Sequence, residues 1–403
     1  MNSGPTRIRV FREVNMANNV IENDVDLIKD ITKLGGGSLK KCFQCGTCSV
    51  VCNLSSDERP FPRKEMIWAQ WGLKDKLLSD PDVWRCYQCG DCSVRCPRGA
   101  KPAEVMAAIR NYSFKSYAFP KFMGKALSSP KYLPLLFAVP VILFLLVLYS
   151  VGALSSIPAG PIAFTGFDTY VDVIFLTLSA FVLIAIAKGV VNFWKNMDQN
   201  NPHGPRYGEA GIYNSIWLAI LEVLTHRNFK KCEANNIRYT GHLGIFYGFI
   251  ALFIVTAIVF IGDRVFHMPL PMSLANPIKI LANLGAILLI IGCLIAFYNR
   301  LSRKDKAGES YYYDWLFLSV LFLIGVTGLL TEIIRLSGYA VAAYWTYFIH
   351  LVFVFFLIGY FPYSKFAHLI YRFVAIIYSK YAGMAEAAED DAVTEETKLK
   401  SVA

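Results

Sequence analysis

Charge is scarce in this chain. Asp, Glu, Lys and Arg make up 17% of its 403 residues, against about 25% in ordinary globular domains. Apolar residues reach 55%, so part of the surface is expected to face lipid rather than water. No apolar run follows Met1, and the first forty residues are polar. A cleavable signal peptide is therefore not expected, and the N-terminus is expected to stay in the cytoplasm. No basic helix or RNA-binding signature accompanies the formal charge of +10, so nucleic acid is not an expected partner. A disulfide framework is not expected either. Eight of the ten cysteines crowd into two tight clusters, a metal pattern, in a compartment that keeps thiols reduced.

Long apolar runs begin only at Leu133. Six spans of about 20 residues follow, roughly 133–154, 169–187, 243–262, 277–298, 315–336 and 342–363, each long enough to cross a hydrocarbon core. The segments between them alternate in charge. Segments 155–168 and 337–341 hold no Lys or Arg, and 263–276 holds only Arg264. Segments 188–242 and 299–314 carry clusters, among them Lys230, Lys231, Arg238, Arg300 and Arg303. Positive segments belong on the cytoplasmic side, which places both termini inside a multi-pass inner-membrane protein. The short apolar segment Gly211–Leu224 reads as an amphipathic helix on the inner face.

Ahead of the spans, a helix is expected near Asp24–Leu34, stopping at Gly35-Gly36-Gly37. Another is expected over Arg63–Leu78, with Met66, Ile67, Trp71 and Leu77 as core residues. Tyr112, Phe114, Tyr117 and Phe119, followed by Lys121, Lys125 and Lys131, read as an aromatic and basic linker at the membrane surface. The expected organisation is a cluster-bearing cytoplasmic domain over 1–115, an interfacial linker over 116–132, a membrane domain over 133–382 and a disordered acidic tail over 383–403.

The cysteines run Cys42-x2-Cys45-x2-Cys48-x3-Cys52 and Cys86-x2-Cys89-x2-Cys92-x3-Cys96-Pro97. This is the spacing of two-cluster ferredoxins, in which the fourth cysteine serves the other cluster. Three thiolates two residues apart wrap three corners of a cubane, and the fourth corner comes from elsewhere. Cys42, Cys45, Cys48 and Cys96 are thus assigned to one [4Fe–4S] cluster, and Cys86, Cys89, Cys92 and Cys52 to the other. Structural zinc more often uses two separated cysteine pairs. Asn53 replaces the proline that often follows the first run and removes no ligand.

All six histidines lie in the second half. His350 and His368 stand 18 residues apart, five helical turns or about 27 Å on one helical face. His242 opens the third span at the depth expected for His368, so these two can ligate one haem from opposite sides. His350 is the candidate for a second haem, with His267 or His226 as possible partners, although a plain interfacial histidine is the ordinary reading of both. His203 reads as a loop residue. Ionisable groups inside a membrane are costly and point to function by default. Lys279, at the outer end of the fourth span, either snorkels or hydrogen-bonds a quinone carbonyl. Glu332 is expected to pair with Arg335 three residues on, and Asp172 to sit among headgroups. These three acids and bases lie too near the span ends to suit an ion pump.

The runs Cys42-Phe43-Gln44-Cys45-Gly46-Thr47-Cys48 and Cys86-Tyr87-Gln88-Cys89-Gly90-Asp91-Cys92 resemble the C subunit of heterodisulfide reductase. Gly241-His242-Leu243-Gly244-Ile245-Phe246-Tyr247-Gly248 is similar to the cytochrome b subunit of respiratory nitrate reductase. So are Phe348-Ile349-His350-Leu351-Val352 and Phe361-Pro362-Tyr363-Ser364-Lys365-Phe366-Ala367-His368. The fusion resembles the C-subunit family of quinone-interacting membrane-bound oxidoreductase (Qmo) complexes of sulfate reducers. That resemblance implies a relay between menaquinol and soluble flavin and iron–sulfur partners, the heterodisulfide-reductase-A-like proteins Qmo A and B, and through them adenylylsulfate reductase. It also implies haem b, one or two. The nitrate reductase helix carries a second histidine where this chain has Leu252-Phe253. The expected fold is mainly α, an α-helical ferredoxin-like domain followed by a six-helix transmembrane cytochrome b bundle. Membership of a heterodisulfide or sulfite reductase-type complex and a non-catalytic membrane anchor are the alternatives.

Overall fold

The computed structural model describes residues 23–57, 59–152, 167–201, 211–230, 236–302 and 308–384. The chain is mainly helical, and no strand occurs among the described residues. Among the described residues six helices are long and apolar enough to cross a membrane, and the protein is a multi-pass membrane protein. His203 and the tail from 385 onward lie outside the described residues.

The N-terminal domain is built from short helices α1 (Val25–Ile31), α2 (Thr47–Val50), α3 (Arg63–Gln70), α4 (Lys74–Leu78), α5 (Asp82–Arg85) and α6 (Asp91–Val94), packed on the longer α7 (Pro102–Tyr117). Asp24 caps α1, its side chain accepting from the Leu27 amide at 2.8 Å, which satisfies one of the unpaired donors of a helix start. The helix ends in a π turn at Gly35, whose φ of 124° brings the backbone against the Tyr311 ring. Only glycine takes that conformation without penalty.

Two expectations change here. Arg63–Leu78 is two helices broken at Gly72, and Trp71 is exposed, while Met66 and Leu77 are buried. Tyr112, Phe114 and Tyr117 are buried in the core rather than lying at a membrane surface. They belong to α7, which continues past residue 115 and turns its aromatic face inward. Only the later part, including α8 (Lys121–Leu127), exposes its lysines.

The first span, α9 (Leu133–Ser150), turns Leu135, Val139, Ile142 and Leu146 outward, a lipid-facing stripe at helical spacing. The second, α10 (Phe167–Gln199), has 33 residues, or about 50 Å at 1.5 Å per residue, against a hydrocarbon core of about 30 Å. Its surplus length enters the N-terminal domain, where Phe193 and Met197 complete the core around Trp84 and Tyr117. The Tyr117 hydroxyl donates to the Leu78 carbonyl at 2.8 Å and accepts from Asn196 of α10 at 2.9 Å.

Next come the amphipathic α11 (Ile212–Thr225) and the short α12 (Arg227–Lys230), then spans α13 (Asn236–Phe266), α14 (Pro277–Ser302), α15 (Tyr312–Leu336) and α16 (Ala340–Gly359). Helices α13 and α14 meet through glycines. A Cβ on Gly292 would lie 2.5 Å from the Ile245 amide nitrogen, and one on Gly248 would lie 2.6 Å from that of Leu289. Small residues let membrane helices approach backbone to backbone. Because backbone rather than a flexible side chain must yield, Gly292→Leu should cost about 3 kcal/mol or more. The expected result is a lower midpoint of thermal unfolding in detergent, and an unchanged midpoint would contradict this packing.

Helix α16 ends at Gly359. Pro362 explains the stop, since proline has no amide proton and disfavours helix at the residue before it. The chain crosses two 3₁₀ turns, with the Tyr360 hydroxyl donating to Leu136 and that of Tyr363 to Phe119. A separate helix, α17 (His368–Tyr381), then packs on α11 and on the Trp84 core. His350 and His368 are therefore not on one helix, and the five-turn relation does not hold. His350 lies about halfway along the 20-residue α16.

Candidate functional site

The two cysteine loops are near repeats in backbone as well as sequence. Gln44 and Gln88 have φ of 61° and 53°, and Gly46 and Gly90 have φ of 84° and 95°. These left-handed residues fold each loop tightly, so that two cysteines of the loop lead directly to a third in the first turn of the helix, Cys48 in α2 and Cys92 in α6. Cys52 leaves the first loop and lines a small cavity of about 40 Å³ together with Cys86, Cys89 and Cys92. Burial pushes the Cys52 thiol up to about 12, with Cys86 and Cys89 adding to the effect. Burial likewise pushes Cys48 up to about 11, and its cysteine neighbours there are Cys42, Cys45 and Cys96. Cys52 thus lies with the second run and Cys96 beside the first, the placement that a crossed arrangement requires.

The spacing of the sulfurs tests what they fit. No three of these cysteines have sulfurs within 4.8 Å of one another. One tetrahedral zinc with Zn–S bonds of about 2.3 Å would draw its sulfurs to about 3.8 Å. The thiolates are therefore not drawn into a single-zinc tetrahedron, and a cubane, whose corners are separate iron atoms, asks for no such close approach. Backbone amides of Gln88 and Ala100 reach the sulfurs of Cys86 and Cys96, each at 3.3 Å, contacts of the kind that tune cluster potential.

Beneath the second loop is a cavity of about 240 Å³ that holds His226, His242 and His368. Its walls include Ile245, Phe246, Phe249, Phe317, Leu318 and Leu321, and its rim includes Arg110, Arg238, Arg300, Lys365 and Arg372. His242 Nδ1 is buried without a hydrogen-bond partner, an exception among buried polar atoms that calls for an explanation. His368 Nδ1 pairs with the Lys365 carbonyl at 2.6 Å. That bond leaves Nε2 as the free lone pair, the arrangement common to ligating histidines. Burial pushes the His368 imidazole down to about 3, so it is neutral at physiological pH. Lys365 in turn forms an ion pair with the buried Asp314 of α15, which anchors the turn that presents His368. An apolar slot with imidazoles and a cationic rim fits a haem, whose ring is apolar and whose edge carries two carboxylates.

The ceiling of this cavity is the second cysteine loop, held by arginines from three helices. Arg110 of α7 donates to the carbonyls of Val83 at 2.9 Å and Cys86 at 3.2 Å. Arg238 of α13 donates to the Gln88 carbonyl. Arg372 of α17 donates to the Arg85 carbonyl at 3.1 Å and lies 3.7 Å over the Tyr87 ring. Phe229 stacks on Tyr87 at 5.2 Å. Sequence reasoning missed these arginines. Arg238, one helical turn before His242, carried a readable signal, whereas Arg110 and Arg372 did not.

The remaining candidates are placed as follows. His226 joins the cavity, 5.1 Å from His242 between ring centroids, so it belongs to the inner site and is no partner for His350. His350 Nδ1 lies 3.0 Å from the Thr327 hydroxyl, beside Gly328. His267 is exposed beyond the end of α13. Lys279 pairs with Glu332 at 2.9 Å, and Asn283 donates to Glu332 at 3.4 Å. The expected Glu332–Arg335 pair is thus replaced by one between helices. Asp172 accepts from Arg264 at 2.7 Å.

Six apolar helices among the described residues and a domain with two runs of four cysteines define a membrane-bound electron-transfer component of an oxidoreductase. Residues 38–100 match the family described as 4Fe-4S dicluster domain, and residues 126–389 match Citrate utilization protein B. The chain belongs to the Citrate utilization protein B family, as a fusion of parts like the C and E subunits of heterodisulfide reductase. It is 30% identical over 200 residues to the E subunit of dihydromethanophenazine:CoB–CoM heterodisulfide reductase from Methanosarcina acetivorans, covering 47% of this chain and 73% of that one. The corresponding E subunit of Methanosarcina thermophila is 27% identical over 201 residues, with the same coverage of 47% and 73%. The C subunit of H2:CoB–CoM heterodisulfide,ferredoxin reductase from Methanothermobacter marburgensis is 40% identical over 94 residues, 23% of this chain and 50% of that one. The chain thus spans half the length of this last relative. No solved structure matches it.

Proposed function

We propose that this protein relays electrons between menaquinol in the membrane and flavin or iron–sulfur partners in the cytoplasm. The observation that carries this reading is the single cavity in which His242 and His368 meet the loop of Cys86, Tyr87 and Gln88. Haem b and [4Fe–4S] groups, when bound, supply one-electron chemistry that the side chains lack. His242 and His368 would hold one haem b, with Arg238, Arg300 and Arg372 available to its carboxylates. Cys52, Cys86, Cys89 and Cys92 would hold the cluster nearer the membrane, and Cys42, Cys45, Cys48 and Cys96 the outer one. His350, without a histidine at the Leu252-Phe253 position, is read as a hydrogen-bonded membrane residue rather than a second haem ligand. The N-terminal domain would face the cytoplasm, because the basic residues Arg238, Arg300, Lys365 and Arg372 lie at its end of the spans, in the cavity beside the second cysteine loop.

On the same reading, the partners are heterodisulfide-reductase-A-like proteins such as Qmo A and B, with adenylylsulfate reductase beyond them. The fused order of the two halves supports this. A heterodisulfide or sulfite reductase-type complex is the second reading, favoured by relatives that are themselves heterodisulfide reductase subunits. A reduced-minus-oxidised spectrum of the purified chain tests the relay. Sharp b-type bands, together with paramagnetic iron–sulfur signals, are expected. A chain that shows neither is a non-catalytic anchor.

Menaquinol oxidation releases two electrons and two protons, and the Lys279–Glu332–Asn283 group is the proposed place for it. An ammonium can donate to a quinone oxygen, and a carboxylate can accept a proton. Removing one partner alone would strand a charge in a low-dielectric site, so the informative variant neutralises both. Lys279→Met/Glu332→Gln should slow haem reduction by a menaquinol analogue roughly a hundredfold, the combined scale of positioning and proton transfer. Haem content and dithionite reduction should stay normal. An unchanged quinol rate would move the site to the inner face near His226.

A further inference from the structure

The two cysteine loops repeat one another, Cys42-Phe43-Gln44-Cys45-Gly46 against Cys86-Tyr87-Gln88-Cys89-Gly90, yet they have different surroundings. In the second loop the aromatic ring is covered. Phe229 stacks on Tyr87, Arg372 lies over it, and the Glu222 carboxylate accepts the Tyr87 hydroxyl at 3.4 Å. In the first loop Phe43 has an arginine over its ring in the same way, Arg98 at 4.1 Å, yet it is 68% exposed. Val50 and Val94, on helices α2 and α6 that follow the two loops, are 87% and 61% exposed, and Cys45 of the first loop is exposed as well. Arg63 lies beside Gly46 and donates its amide to Ser49 at 3.3 Å. Arg63, Arg95 and Arg98 are all exposed, with Arg98 over Phe43 and Arg95 next in sequence to the exposed Val94.

We propose that this face docks a soluble redox protein that presents an apolar or aromatic contact ringed by carboxylates. It deepens the relay reading above and rests on it. The second loop shows within this chain what such a cover consists of, a stacked ring and a carboxylate. These arginines select the charge of the partner, because complementary potential steers encounter and fixes register. Exposed large apolar side chains on the first loop and on the two helices that follow the loops are the kind of surface that marks an interaction site. Docking there brings a partner cofactor to the Cys42–Cys48 end, the one farther from the haem cavity.

The test uses the full chain in detergent, with its cluster and haem spectra recorded first. The probe is an acidic flavodoxin carrying a fluorescent label, and binding is followed by anisotropy. Saturable binding is expected at low ionic strength, weakened at least tenfold by R95E/R98E and several-fold by Phe43→Ala. K125E, a charge change on α8, should leave it unaltered. Spectra lacking cluster and haem bands would sink the relay reading itself. Intact spectra with binding that R95E/R98E leaves unchanged would overturn the docking surface alone. Absence of saturable binding to the unaltered chain would overturn it too. So would self-association or attachment to anionic vesicles through these same residues.

Discussion

His242→Ala and His368→Ala should each abolish the same reduced b-type absorption, and either variant should bind less than a tenth of the normal haem. Both imidazoles enter one cavity, His242 with Nδ1 buried and unpartnered, His368 with Nδ1 committed to the Lys365 carbonyl. On the proposed relay reading, each would offer one ring nitrogen to a haem held between them. His226 makes the comparison discriminating, since its ring lies 5.1 Å from that of His242. Its Nδ1 pairs with the Leu224 carbonyl at 3.3 Å. His226→Ala should keep the haem, and His350→Ala should keep it as well. Haem-to-protein ratios by pyridine haemochrome measure the outcome. Retained haem in His242→Ala with loss in His226→Ala would transfer the proposed haem-holding role to His226.

Cys96→Ser should eliminate the cluster of the first loop, and Cys52→Ser that of the second, each sparing the other. The reason is the crossing. Cys52 lines the cavity of Cys86, Cys89 and Cys92, while Cys96 is the remote neighbour of Cys42, Cys45 and Cys48. A serine in the fourth corner leaves three thiolates, a site that holds iron far less firmly. Magnetic resonance of the reduced protein resolves the two signals, and iron content should fall by about half, in proportion to the one of two clusters lost. Quinol-driven reduction should then stop at different points. In Cys52→Ser the haem bands should still reduce while the first-loop signal stays oxidised. Loss of the second-loop signal in Cys96→Ser would show that each run of four serves its own cluster.

Features that depend on near neighbours are legible from the residues alone. Apolar runs of about 20 residues announce spans wherever they occur, and cysteine gaps of two and three residues restrict what three thiolates can hold. His242 and His368 do line one cavity, but not through a helix that His368 shares with His350, because that helix stops ahead of Pro362. A period count cannot register the break, since the apolar character continues through Phe361 and Tyr363 while the hydrogen-bond ladder stops.

Composition and spacing alone establish a multi-pass membrane protein with six spans and two runs of four cysteines, and they single out the histidines worth testing. How the halves join is a matter of tertiary packing. Arg238 reaches Gln88 across 150 residues and Arg372 reaches Arg85 across 287. The Trp84 core is completed by Phe193 and Tyr371, and Lys279 finds Glu332 in place of any neighbour on its own helix. Such contacts lie between elements. Their partners are set by packing of whole helices, where burial leaves a charge or a ring only the neighbour that the fold supplies.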